Sequence, residues 1–226
     1  MSATSSPPGG WFTQLPAAER AVLHERGTTR RYRAGSTLFH EGDLSDWVVL
    51  LLGGRVKISA ATTDGREVVL ALYGAGELLG ELSAIDARPR SATATAIDPV
   101  DARIVAGEQF RTFMATSSQA SLVFLKSLSG RLRDADRRRV EFIALDSVGR
   151  VATQVIELAE QYGVSLPDGT TLVDLPLSQD ELAGLTGASR EAVGKALHLF
   201  RSRGWIRTAR RCITVSDLDG LRSRAT

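Results

Sequence analysis

The chain has 226 residues, 43% of them apolar, 24% charged and 6% aromatic, a globular composition with more length than one small module of about 100 to 150 residues needs. A net charge of +2 gives no bulk attraction to a polyanion, and one cysteine with three scattered histidines (Cys212; His24, His40, His198) argues against a disulfide, a thiolate metal site or a histidine metal cluster. No run of about 18 apolar residues is free of charge, and the start MSATSSPPGG lacks the basic and apolar regions of a signal peptide, so a cytoplasmic protein with no membrane contact and no prosthetic group is expected.

Residues 1–10 are expected to form a disordered leader, rich in Ser, Pro and Gly. Phe12, Leu15, Ala18, Val22 and Leu23 fall close to helical spacing and predict one short helix between Trp11 and Gly27. Short β-branched and apolar runs follow at Ser36–Phe39, Trp47–Leu52, Arg55–Ala60, Glu67–Tyr73, Ala92–Ala96 and Asp101–Val105. Turn signals such as Gly53-Gly54, Asp64-Gly65 and Asp98-Pro99 separate them, which predicts a compact antiparallel barrel or sandwich.

From Ser117 to Leu145 no proline and only Gly130 interrupt a helical pattern, with Leu125, Leu128, Leu132, Ala135 and Phe142 at three- and four-residue steps. That seam, flanked by Arg131, Arg133, Asp134, Arg137 and Arg138, predicts a helix that pairs with its twin across a two-fold axis, although Arg139 weakens a simple zipper. A core helix packed on its own barrel is the alternative. Asp146–Arg150 is expected to break the chain, Val151–Tyr162 to form a fresh helix capped at Gly163, and Leu166–Pro176 to be a loop with a Pro-Asp-Gly turn.

Ser178 with Glu181 three residues later predicts a capping box. In the segment from Gln179 to His198, Ala183 allows two helices to cross, Gly187 permits a left-handed turn, and Leu182, Val193 and Leu197 fill a small shared core, which together predict a helix-turn-helix. Ser189 is the expected cap of the second helix and leaves Arg190, Glu191 and Lys195 pointing outward to read bases in a major groove. A mutual Arg190–Glu191 pair on a solvated face is the bland alternative. Between Ser189 and Ile213 seven positive residues face Glu191 alone, a local charge of +6. Residues 204–215 predict a β-hairpin wing whose Arg210 and Arg211 meet the phosphate backbone, with Cys212 as a packing residue.

In the barrel, Gly80-Glu81-Leu82-Ser83 precedes Arg90-Ser91 by about ten residues. Backbone amides near Gly80, the Arg90 guanidinium and the Ser91 hydroxyl could hold a phosphate while Glu81 accepts from a ribose hydroxyl; a Glu81–Arg90 structural ion pair is the alternative. An enzyme would need Glu81 and Asp86 as a carboxylate pair, and no histidine or metal cluster supports one.

With Glu41-Gly42-Asp43, the GELS…RPRSAT cassette at 80–93, Leu145-Asp146-Ser147-Val148-Gly149-Arg150-Val151-Ala152 and Gly187-Ala188-Ser189-Arg190-Glu191-Ala192-Val193-Gly194-Lys195, the sequence resembles the cyclic-AMP receptor protein/FNR (CRP/FNR) family of bacterial transcription regulators from about Trp11 to Leu221. The resemblance implies an α+β chain: a cyclic-nucleotide-binding, jelly-roll-like β-roll over 11–116, a dimerisation helix over 117–146 and a winged helix-turn-helix over 147–226. It also implies a homodimer on palindromic double-stranded DNA, with RNA polymerase as a further partner. Gly80, Glu81, Leu82, Arg90 and Ser91 match the family's phosphate cassette, and Arg190, Glu191 and Lys195 its base-reading positions. Cyclic-AMP-responsive members carry Thr-Ser or Thr-Asn on the dimer helix where this chain has Ala135 and Asp136. Neither supplies a threonine hydroxyl, and a buried Asp136 beside a purine would want a donor-rich edge. Cyclic AMP is therefore the first expectation as effector, with another nucleotide or a ligand-independent, vestigial cassette left open. Lys195 also stands where the best-known members have arginine, which weakens bidentate reading of guanine.

Overall fold

The computed structural model describes residues 10–63, 65 and 67–225, so the leader over 1–9 and Asp64 of the Asp64-Gly65 turn lie outside the described residues. Two compact units divide them, one ending at Asp134 but omitting 62–69, the other holding 62–69 and everything from Ala135.

Pro16 cuts the first helix in two. It has no N–H and forces the residue before it to be extended, so a 3-10 turn at Trp11–Gln14 ends at Leu15, with ψ 145°, before α1 (Ala17–Glu25) begins. Gly10, assigned by the sequence to the leader, is buried, and a Cβ there would come within 2.5 Å of the Gly76 carbonyl carbon. The strands β1 (Thr28–Tyr32), β2 (Thr37–Phe39), β3 (Trp47–Gly53), β4 (Val56–Ala61), β5 (Glu67–Tyr73) and β6 (Leu78–Leu79) are followed by a short helix, α2 (Glu81–Asp86). Then come β7 (Thr93–Ala96), β8 (Val100–Ala106) and α3 (Gly107–Thr116). The eight strands form two sheets, in the orders β1-β8-β3-β6 and β2-β7-β4-β5, a β-roll of antiparallel pairs.

β3 shows why Trp47–Leu52 carries no polar residue. Val48 and Leu50 join a helix-side core with Trp11, Phe110 and Phe124, whereas Val49 and Leu51 join Tyr32, Phe39, Val56 and Ala94 in a second core. Side chains alternate across a strand, so a strand covered on both faces needs an apolar residue at every position. The sequence predicts no strand at Thr28–Tyr32, because TTRRY has no alternation; β1 is an edge strand paired with β8, four of its five residues are exposed, and charge suits such an edge. Nor does it predict α3, whose buried Phe110 and Phe113 close the helix-side core.

The long helix α4 (Ser118–Ala144) is present, and four of the five predicted seam residues, Leu125, Leu132, Ala135 and Phe142, are exposed on it. Leu128 packs on the helix-side core, while Leu122, Val140 and Ile143 join the exposed seam residues in a broader apolar stripe, from 48% exposed at Leu122 to 85% at Ile143. Three- and four-residue steps fit two adjacent rows of a helix equally well, and the row through Leu128 is partly taken up by the chain's own core.

In the second unit, α5 (Ser147–Tyr162) begins earlier than the break predicted over Asp146–Arg150: the Asp146 carboxylate accepts the Gly149 N–H at 2.8 Å, and only the capping residue stays outside the helix. Gly163 follows α5 in extended conformation, not as a left-handed cap; glycine is needed because a Cβ would sit 2.1 Å from the Ala159 carbonyl oxygen. The predicted loop from Leu166 is mostly a hairpin, with β9 (Gly163–Ser165) and β10 (Thr171–Val173) joined through the Pro-Asp-Gly turn. α6 (Gln179–Thr186) and α7 (Arg190–Ser202) pack on α5 around Leu182, Val193, Ala196 and Leu197, all buried. β11 (Ile206–Ala209) and β12 (Cys212–Val215) form the wing, which extends β10 and β9 into one sheet, and α8 (Leu218–Arg222) closes the unit. No helix among the described residues is long and apolar enough to cross a membrane.

Candidate functional site

At the lip of the β-roll, Gly80 takes φ +75°, a conformation that favours glycine, and a Cβ on it would lie 2.1 Å from Arg90 Nη1. Arg90 is 2% exposed. Its Nη1 donates to the Gly80 carbonyl and its Nη2 to the Trp47 carbonyl, each at 2.5 Å, and the guanidinium lies over the rings of Phe39 (4.5 Å) and Trp47 (4.7 Å). The buried Nε–H has no hydrogen-bond partner among the described residues. A cation fixed this way beside a glycine turn, with one donor unmet, suits an anionic oxygen.

Glu81 is 4% exposed and begins α2, so Gly80-Glu81-Leu82-Ser83 is a turn only at its glycine. Its carboxylate does not pair with Arg90. It accepts from Arg131 Nη1 at 2.6 Å, while Arg131 Nη2 donates to Glu77 (2.9 Å) and to the Leu78 carbonyl (3.0 Å), with its guanidinium 4.5 Å from the Tyr73 ring centre. Sequence reasoning put Arg131 on the solvated outer face of α4. The spacing that could have found it is its place three residues after Leu128, on the side that packs inward. Burial pushes the Glu81 carboxyl above the ordinary glutamate range, against the pull of Arg131. Leu82 is half exposed and Ser91 exposed. Ala135 and Asp136 belong to the second unit, and Asp136, expected to be buried beside a base, is exposed and meets Arg139 at 3.4 Å.

In the second unit the capping box is complete: Ser178 Oγ accepts the Glu181 N–H at 3.1 Å and Glu181 accepts the Ser178 N–H at 2.8 Å. Gly187 takes φ +59°, and Ser189 Oγ accepts the Ala192 N–H at 3.1 Å to start α7. Arg190 and Glu191 do not pair with one another. Glu191 meets Lys195 at 2.7 Å, which holds its carboxyl below the ordinary range, and Arg190 lies 3.9 Å from Asp180. These three residues line a shallow concavity of about 650 Å³ together with Gln179, His198 and Ser202, which the sequence reading did not single out. His198 follows Lys195 by three and Glu191 by seven residues, the same helical face. Arg210 and Arg211 form the exposed tip of the wing, Arg211 at φ +62°.

The buried Glu81–Arg131 pair gives a signed pH dependence. Because the folded carboxyl titrates above its unfolded value, the cost of its charge is absent below the unfolded value and grows as pH rises through the folded one. Removing Arg131 adds to that cost only where the carboxylate is ionised. Arg131→Met is expected to lower the melting temperature more at pH 8 than at pH 5, and Arg131→Met with Glu81→Gln to lose that difference; equal losses at both pH values in the single variant would contradict the pairing.

Residues 29–117 match the cyclic nucleotide-binding domain family and residues 149–224 the Crp-like helix-turn-helix domain family. The chain is 38% identical to the CRP-like cAMP-activated global transcriptional regulator of Mycobacterium tuberculosis over 216 residues, 96% of each chain. It is 32% identical to the cyclic AMP receptor protein of Thermus thermophilus, over 79% of each. Among solved structures, the c-di-GMP responsive global regulator CLP of Xanthomonas campestris superposes with a TM-score of 0.78 at 26% identity, over 88% of this chain and 99% of that one. Carrying a cyclic nucleotide-binding domain ahead of a Crp-like helix-turn-helix, and similar to such regulators over nearly its whole length, the chain belongs to the CRP/FNR family of DNA-binding transcription regulators.

Proposed function

We propose that this regulator binds palindromic DNA as a homodimer under the control of a cyclic nucleotide held in the β-roll, with cyclic AMP as the first choice. The observation that carries the reading is the buried Arg90 guanidinium with its unmet Nε–H beside Gly80. There Arg90 and Ser91 would take the cyclic phosphate, Glu81 the ribose hydroxyl, and Gly80 and Leu82 would shape the turn around them. The exposed stripe Leu122, Leu125, Leu132, Val140 and Ile143 supports pairing of α4 with its twin, since an apolar row of that length is costly in water. In such a dimer Ala135 and Asp136 would lie where relatives hold the base.

Control is a population shift: moving the protein from about 1:99 to 99:1 in favour of its DNA-binding arrangement requires about 5.5 kcal/mol of differential affinity. Arg190, Glu191 and Lys195 read base edges from two major grooves about 34 Å apart, and Arg210 and Arg211 hold phosphates. RNA polymerase is the further partner and the cytoplasm the location. The protein is a regulator, not an enzyme. A second reading is favoured by Ala135 and Asp136 and by a neighbour whose name gives c-di-GMP as its signal: a different nucleotide occupies the same lip. A third keeps the DNA role and leaves the cassette vestigial.

Calorimetric titration of nucleotide-stripped protein with cyclic AMP and cyclic GMP is expected to give micromolar binding that Arg90→Leu abolishes; no heat with either would turn the assignment to another effector or to none. On DNA, Arg190→Ala is expected to cost about 1–3 kcal/mol on a specific duplex and to relax base preference, whereas Arg210→Ala weakens all duplexes alike and lowers the salt slope by about 1. Equal losses on specific and random duplexes for both variants would contradict the division of roles.

A further inference from the structure

We propose that the second unit carries a binding site of its own, a cavity between the wing and the two helices of the helix-turn-helix that takes a single-chain amphiphile ending in a carboxylate. The cavity has a volume of about 390 Å³, within the range of small-molecule sites and well beyond the water-sized voids of a packed core. It is walled by Leu158 of α5, Val173 of β10, Leu175 beyond it, Leu182 of α6, Leu197 of α7 and Ile213 of β12. On its wing side Thr208 pairs with Ile213 and Ala209 with Cys212, and three of those four side chains are short, which leaves the space open. An apolar cavity of this kind holds water poorly and gains by filling with hydrocarbon.

The mouth of the cavity is cationic. Arg201, in the last turn of α7, and Arg211, at the wing tip, both line it and both are exposed. Neither meets a carboxylate among the described residues, whereas Lys195, Arg207, Arg222 and Arg224 of the same unit each do. Nor does an acidic side chain line the cavity among those residues. Arg201 Nη1 donates to Thr208 Oγ1 at 2.9 Å, which holds its guanidinium across the gap between α7 and the wing. Two guanidiniums without a carboxylate partner, at the rim of a hydrocarbon-lined space, select a ligand with an apolar chain and one anionic head, and a carboxylate fits the fork of either. Arg211 is also the residue assigned to the DNA backbone, so an occupied cavity draws that charge away from phosphate; this consequence rests on the role proposed above for the wing.

Cys212 supplies the test, because it lines the cavity, is half-buried and is the single cysteine of the chain. Its alkylation by N-ethylmaleimide is followed by mass on the full chain, with calorimetric titration beside it, using octanoate, decanoate, dodecanoate, dodecanol and dodecyltrimethylammonium below their micellar concentrations. The carboxylates are expected to protect the thiol, with a half-protecting concentration that falls roughly fourfold per added methylene, or roughly 200-fold from octanoate to dodecanoate. Dodecanol and dodecyltrimethylammonium are expected to be weaker than dodecanoate by about tenfold or more, and Arg201→Gln to weaken dodecanoate about tenfold while leaving dodecanol unchanged. The wild-type series decides alone if Arg201→Gln fails to fold. Absence of both protection and heat with every carboxylate would overturn the proposal, as would a half-protecting concentration that does not change with chain length. Equal protection by dodecanol would overturn the cationic mouth in favour of a neutral apolar ligand. Saturating dodecanoate is further expected to weaken a selected palindromic duplex about fivefold or more. Protection of Cys212 with the duplex unaffected would uphold the site and overturn instead the assignment of Arg211 to phosphate.

Discussion

A guanidinium held almost out of solvent is the constraint around which the lip of the β-roll is arranged. Burying a charge without partners is expensive, so Arg90 is surrounded by groups that offset the loss of water: two carbonyl oxygens in line with its Nη donors and two aromatic faces. Gly80 follows from that placement, because any side chain there would overlap Arg90. Glu81, forced inside next to it, takes its counter-charge from Arg131 on α4. The lip is thereby tied to the first-unit part of the long helix through the Glu81–Arg131 pair.

The second unit solves a different problem with shorter-range means. Its α6 and α8 are brief, and isolated helices of such length are marginal, so end chemistry matters: Asp146, Ser178, Ser189 and Asp217 each cap a helix with a side-chain oxygen. Capping fixes where α7 begins, and Gly187 fixes its direction. Arg190, Glu191 and Lys195 therefore stand together on one outward face because their starting residue is pinned, with the Glu191–Lys195 pair as the one contact found among the three in the described residues.

The sequence resolves most where a local rule leaves one choice. The capping box, the left-handed Gly187 and the wing were legible because each needs only a few neighbouring residues with one tolerated chemistry. The run Trp47–Leu52 was legible as a strand, but its burial on both faces follows only from helices far away in sequence. Three details were missed for the same reason, that a partner elsewhere in the chain decided them. Arg131 looked solvated until Glu77 and Glu81 met it; Leu128, one of the five seam positions, is claimed by the first unit; and TTRRY became a strand because β8 offered an edge. Asp136, by contrast, is exposed in the chain and meets Arg139.

The claim at the centre of this account is that the β-roll and the recognition helices share one equilibrium. Linkage then requires reciprocity: whatever factor the nucleotide adds to the affinity for DNA, DNA must add to the affinity for the nucleotide. The most direct measurement is the dissociation constant of cyclic AMP with and without a saturating palindromic duplex selected by the protein from a random pool. The duplex is expected to tighten nucleotide binding by the same factor, about 5- to 150-fold. An unchanged nucleotide constant in the presence of bound duplex would contradict it.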